Sequence, residues 1–180
     1  MTRIIALSDT HLMNDDRLPV AVVALARRAD IILHAGDFVS LQAYSDLKSL
    51  GRLVAVRGDS DSPQLKSLLL EREVLDVEGV RIGLVHRASH SSDLLGAEMM
   101  AREMDCDVLV FGHIHRPIIE RGNRLLISPG SITLPRMSAP SLAEIEIEEG
   151  RVQGRIIPIG SPVCNYLRYA EELGKRRAEE

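Results

Sequence analysis

The segment Phe111-Gly112-His113-Ile114-His115-Arg116-Pro117 follows the apolar run Val108-Leu109-Val110. It places two imidazoles two residues apart where a short β-branched run stops. On extended backbone, side chains two apart leave on the same side, so His113 and His115 are expected to emerge together with Ile114 turned away. Asp9 and His11 repeat the pattern after Ile4-Ile5-Ala6-Leu7. Gly36-Asp37, Gly58-Asp59 and Val85-His86 each add one carboxylate or imidazole directly after an apolar run. One such residue is most often a turn former or a satisfied polar group. Five strand ends that all finish in Asp or His point instead to a shared metal site. Carboxylates and neutral imidazoles without thiolates suit divalent manganese, iron, cobalt, nickel or zinc.

In this order along the chain, Asp9-Thr10-His11, Gly36-Asp37, Gly58-Asp59-Ser60-Asp61, His86 and Gly112-His113-Ile114-His115 resemble the motif blocks of the calcineurin-like metallophosphoesterases. The resemblance is strongest to their small single-domain phosphodiesterase branch, whose Asn-Pro-Gly-Ser block is similar to Ser128-Pro129-Gly130-Ser131. It implies an α/β fold, a four-layer α/β/β/α sandwich of two mixed sheets flanked by helices. It also implies two divalent metal ions, manganese first, with nickel, cobalt, iron or zinc as alternatives. Asp9, His11, Asp37 and His115 would hold one ion; Asp37, Asp59, His86 and His113 would hold the other, with Asp37 bridging. Asp37, Asp59, His86 and His113 are the implied catalytic group. The implied reaction is hydrolysis of a small phosphodiester or cyclic nucleotide by a hydroxide held between the ions, phosphodiesters ahead of phosphomonoesters. The rival implication is a catalytically weak scaffold that binds a protein partner, as retromer-subunit relatives do.

Three positions depart from the family pattern. Asp59 stands where the family has Asn, which lowers the charge of protein plus metal by one unit and should bind metal more tightly while polarising phosphate less. Ser60 stands where many relatives carry a His that protonates the leaving group. A serine is a poor general acid, so good leaving groups should be favoured. Arg87 replaces a Gly after the His86 position, where it either reshapes the loop through His90, meets a substrate phosphate, or is simply solvated. His34, three residues before Asp37, is read as a structural neighbour of the site and not as a ligand.

The elements that must position these residues are legible as alternating runs. Strands are expected over 4–7, 31–33 and 53–56, with the first two in a parallel βαβ unit. Helices are expected over 19–29, with Pro19 in the first turn, over 41–50, closed by Gly51, and over 65–70, opened by Ser62-Pro63. Strands 74–77 and 80–85 form a hairpin about Glu78-Gly79. A helix over 93–104 turns Leu94, Ala97, Met100 and Met104 to the core. Strands follow at 117–120, 125–128, 142–147 and 152–157, and Glu144 and Glu146 mark a wet face on the third of these.

A chain of 180 residues, 45% hydrophobic, can bury one substantial core. We expect one domain over 1–160, with 161–180 as its helical extension. A net charge of −4 with no Trp, three Tyr and two Phe gives neither the charge nor the stacking platforms for a nucleic-acid polymer. The two cysteines, Cys106 and Cys164, do not form a disulfide framework and read as reduced thiols, Cys106 packed near a helix end. With no signal-like or membrane-spanning run, the expectations are a cytoplasmic location, no membrane partner, a small phosphoester as substrate and self-association as an open option. Arg136, in the loop after Ser131, carries no sequence signal that places it at the site or away from it.

Overall fold

The computed structural model describes residues 1–88 and 94–162. The expected helix after Pro162 and Cys164, and the His90 loop, lie outside these residues. The described part contains ten strands and four helices.

Strand β1 (Thr2–Leu7) lies in the middle of a five-stranded sheet. It pairs in parallel with β2 (Ile31–His34), which pairs in parallel with β3 (Leu53–Ala55). On its other side β1 pairs antiparallel with β9 (Ser141–Glu148), and β9 with β10 (Arg151–Pro158). The second sheet has the order β4 (Arg72–Val77), β5 (Val80–Val85), β6 (Val108–Phe111), β8 (Leu125–Pro129), β7 (Pro117–Arg121). Within it β5, β6 and β8 are parallel and the two edge strands run against them.

The apolar runs in β1 are buried on both faces, which requires a layer on each side. Ile4, Ala6, Leu33 and Ile145 of the first sheet pack with Ile82, Leu84, Val110 and Ile127 of the second, forming the core between sheets. Ile5, Leu7 and Ile32 point the other way, onto α1 (Val20–Ala26), α2 (Leu41–Lys48) and α3 (Pro63–Leu68) through Val22, Ala26, Leu47 and Leu65. The outer face of the second sheet is covered at Leu109, Phe111 and Leu126 by Ala97 and Ala101 of α4 (Leu95–Glu103). The layers are therefore helix, sheet, sheet, helix, as the family resemblance implies. Both sheets are mixed.

Most expected elements occur with small changes of boundary, and Glu78 and Gly79 both take positive φ in the expected hairpin turn. Cys106 is buried beside the end of α4, donating its thiol toward the Ala101 carbonyl. Pro19 precedes α1 as its N-cap residue and does not lie in its first turn. Gly51 does not close α2: the helix stops at Ser49 in right-handed conformation, and Ser49 Oγ donates to the Asp46 carbonyl. The wet face expected on β9 is also absent at Glu144, which is 3% exposed. There β9 lies between β1 and β10, and Arg3 and Arg155 from those neighbours cover the carboxylate as ion pairs.

Candidate metal centre

The parallel strands β1, β2 and β3 of one sheet and β5 and β6 of the other all end at the same place, and every expected ligand follows one of those ends. The backbone conformation there differs from the extended one expected. Asp9 (φ 50°), His11 (φ 41°), Asp37 (φ 61°), His113 (φ 72°) and His115 (φ 56°) all occupy the left-handed region. The chain coils as soon as it leaves the sheet, so each pair converges through turn conformation and not through strand alternation. Asp and His tolerate this region better than most residues, though at a cost.

Close approach of the loops depends on two glycines. A Cβ at Gly58 would lie 2.2 Å from the Asp37 backbone nitrogen, and one at Gly112 would lie 1.9 Å from Ser8 Oγ. Gly112 thus lets the β6 loop of one sheet reach the β1 loop of the other. The N–H of His113 then donates to both Asp9 oxygens, at 3.2 and 3.0 Å, while Ser8 Oγ donates to Oδ2 at 2.6 Å. The β1 and β2 loops are joined by Asp9 N–H to the Gly36 carbonyl and His11 N–H to the Asp37 carbonyl, each 3.0 Å.

Three overlapping groups of donor atoms result: Asp9, His11 and His115; Asp59, His86 and His113; and Asp9, Asp37 and His86. All seven expected residues are brought together. Asp37 Oδ2 is central, 3.4 Å from His11 Nε2 and 3.5 Å from His86 Nε2. Asp59 Oδ2 lies 3.5 Å from His86 Nε2 and 3.2 Å from His113 Nδ1, and Asp9 Oδ1 lies 3.3 Å from His115 Nε2.

The imidazole tautomers favour metal binding. His86 Nδ1–H donates to the Ala35 carbonyl and His115 Nδ1–H to the Leu134 carbonyl, both at 2.7 Å. A carbonyl can only accept, so Nε2 of each ring carries the lone pair and faces the cluster. His11 Nε2 and His86 Nε2 are buried and have no hydrogen-bond partner among the described residues. Burial lowers the pKa of His11, and burial followed by Arg87 lowers that of His113, so both favour the neutral form. Burial raises the Asp9 carboxyl. The ion-pair partners of Asp9 and Asp37 among the described residues are imidazoles, with no Lys or Arg. Buried carboxylates that face imidazole nitrogens, with no Lys or Arg beside them among the described residues, call for a cation, and this donor set fits divalent metal.

Residues around the cluster hold it in shape. His34 stacks on Phe38 with ring centroids 3.5 Å apart, accepts from Gly36 N–H and sits 3.3 Å from Thr10 Oγ1, consistent with a structural role. Burial pushes its pKa well down. Asp61, named in the sequence only as the last residue of the Gly58–Asp61 block, is buried and accepts from the N–H groups of Asp37 (3.3 Å), Val39 (2.8 Å) and Gly58 (2.6 Å), while Ser62 caps α3. Ser131 Oγ donates to the Asp9 carbonyl at 2.6 Å, and Thr133 Oγ1 to the Thr10 carbonyl at 2.8 Å. Ser60 is tied down as well, donating N–H and Oγ to the two oxygens of Asp37. Arg136 is exposed and its N–H donates to the His115 carbonyl.

Residues 2–150 match the calcineurin-like phosphoesterase superfamily domain. The chain belongs to that family. A protein of Methanothermobacter thermautotrophicus named "Probable metallophosphoesterase" is 32% identical over 166 residues, covering 91% of this chain and 96% of its own. A protein of Methanocaldococcus jannaschii named "Phosphodiesterase" is 24% identical over 160 residues, covering 79% of this chain and 92% of its own. Among solved structures, Vps29 of Entamoeba histolytica, complexed with zinc, superposes with a TM-score of 0.70 at 23% identity, over 86% of this chain and 98% of that one. This last likeness concerns the fold. No helix among the described residues is long and apolar enough to cross a membrane.

Proposed function

We propose that this metallophosphoesterase is a two-metal phosphodiesterase acting on a small phosphodiester or cyclic nucleotide. The observation that carries the proposal is the central position of Asp37 Oδ2, within 3.5 Å of imidazole nitrogens that belong to both halves of the cluster. Asp9, His11, Asp37 and His115 would hold one ion, and Asp37, Asp59, His86 and His113 the other. When bound, such a pair of cations supplies Lewis-acid stabilisation of phosphate charge and an activated water. Manganese is the first choice from the oxygen and nitrogen donors, with zinc, nickel, cobalt and iron as alternatives.

The protein groups fix what the ions can do. Backbone and hydroxyl donors from Ser60 orient Asp37, the β6 loop and Ser8 orient Asp9, and carbonyls orient His86 and His115. Because the Ser60 hydroxyl is engaged with Asp37, it has no proton poised for a leaving group. Phosphodiesters with acidic leaving groups should therefore react faster than alkyl esters. The complete donor set favours an enzyme over a scaffold that binds a protein partner.

The test combines metal analysis with turnover of bis(4-nitrophenyl) phosphate and 4-nitrophenyl phosphate across the five metals. The diester should be the better substrate. Asp37→Ala should lose both ions, lose turnover, and no longer gain thermal stability from added metal. Retention of two ions and activity by that variant would refute the bridging role. His113→Ala should lose turnover yet stay folded, since its side chain lies at the open edge of the cluster. Absence of hydrolysis with every metal would leave the protein-binding scaffold as the better reading.

A further inference from the structure

Beside the cluster the surface opens into a cavity of about 300 Å³, and His86 and Asp59 form part of its wall. Among the described residues the rest of that wall is strongly basic, with Arg57, Lys66, Arg72 and Arg87 set against the further carboxylate of Glu71. Among the described lining residues four cations face two carboxylates, an excess of two positive charges that falls to one when Glu103, the partner of Arg72, is counted, on a chain whose net charge is −4. Such a concentration against the overall sign focuses the field on one opening.

The partners of these cations leave them available. Lys66 Nζ donates to a backbone carbonyl, that of Asp59, at 2.6 Å. Arg57 meets Glu71 at 3.4 Å and Arg72 meets Glu103 at 2.6 Å, but the two glutamates are 75% and 62% exposed. Exposed pairs of this kind are weak and exchange readily for a better anion. Arg87 holds Asp59 through Nη2, while its buried Nε has no hydrogen-bond partner among the described residues. A volume near the lower end of the roughly 300–1,000 Å³ range of small-molecule sites fits one phosphate-sized group and a short linker, not a polymer.

Resting on the phosphodiesterase reading, we propose that this cavity is a subsite for a second phosphate, so that the preferred substrate is a small phosphodiester carrying a terminal phosphate on one arm. The scissile phosphate would lie at the cluster and the terminal one among Arg57, Lys66 and Arg72. Guanidinium and ammonium donors are the groups that recognise phosphate, and here they are fixed by β4, by α3 and by the loop after β3.

Two substrates with the same leaving group isolate the effect: 4-nitrophenyl 2-phosphoethyl phosphate and 4-nitrophenyl 2-methoxyethyl phosphate. The charged arm should raise kcat/KM at least about tenfold, mainly through KM, and the advantage should shrink at high ionic strength. Lys66→Gln and Arg72→Gln should each reduce the ratio of the two kcat/KM values about tenfold. Two variants are used because Lys66 also touches the Asp59 loop. Calorimetric binding of the phosphonate analogues of both esters, in which a methylene replaces the nitrophenyl oxygen, gives a readout independent of turnover. Equal binding of the two analogues, or ratios unchanged in both variants, would overturn the subsite. If neither ester is hydrolysed, the phosphodiesterase reading fails by itself. Preferential binding of the charged analogue, lost in the variants, would still support the subsite.

Discussion

At the scale of single residues, the pairing of Arg87 with Asp59 changes what Asp59 means. Its carboxylate is 51% exposed and bonded to Arg87 at 2.6 Å, and the same oxygen faces His86 and His113. Taken alone, the extra negative charge should weaken the field on a phosphate. With a guanidinium against it, much of that charge is already offset. Asp59→Asn should therefore leave kcat for an activated diester nearly unchanged in the parent but raise it about tenfold in an Arg87→Ala background, a difference of roughly 1.4 kcal/mol. Saturating-metal kinetics on the four proteins of the cycle measures it, and a cycle that closes to within about 0.5 kcal/mol would mean the pair acts independently. Both residues were visible in sequence as departures from the family pattern. Their contact was not, because 28 residues separate them and no periodicity links two loops.

At the scale of elements, the site is a set of loops that must be held at fixed spacing, and the holding residues were the hardest to read. Asp61 accepts from three N–H groups on the loops after β2 and β3, two of them 22 and 24 residues away. In sequence it is one more Asp in a turn-forming run. Asp61→Ala would leave those buried donors unpaired and should cost about 3 kcal/mol, given 1–3 kcal/mol for each buried group left unsatisfied and partial rescue by water. Urea unfolding in chelator tests this without interference from metal: stability within about 0.5 kcal/mol of the parent would exclude the clamp. Strand and helix order were legible because apolar runs and cap residues such as Ser62 are local signals. The left-handed turns at the ligands were not, since Asp and His carry no mark that separates them from extended residues.

At the scale of the molecule, the two sheets share one core, so the centre between their strand ends is coupled to global stability. Burial lowers the pKa of His11, His34 and His113 in the folded state. A lowered folded pKa contributes stability above the ordinary value of 6.5, and that contribution is lost as pH falls below it. Asp9, whose pKa burial raises, has the opposite sign: its contribution is fully present below 3.8 and is lost as pH rises through its folded value. Three imidazoles against one carboxylate should make the metal-free protein less stable at pH 5.5 than at pH 7.5. The urea midpoint measures this, and His34→Gln should flatten the dependence; a midpoint that rises on acidification would reverse the argument. The left-handed backbone at Asp9, His11, Asp37, His113 and His115 bears on how such a protein survives laboratory evolution. At about 1 kcal/mol each, these five conformations withhold an amount comparable to the 5–15 kcal/mol that keeps an ordinary domain folded. A library sorted only for yield or heat resistance would thus be pulled toward glycine or asparagine at those codons, most freely at His11 and His113. The sandwich would improve while its chemistry disappeared, so any sorting scheme for this protein has to select for bound metal or turnover from the first round.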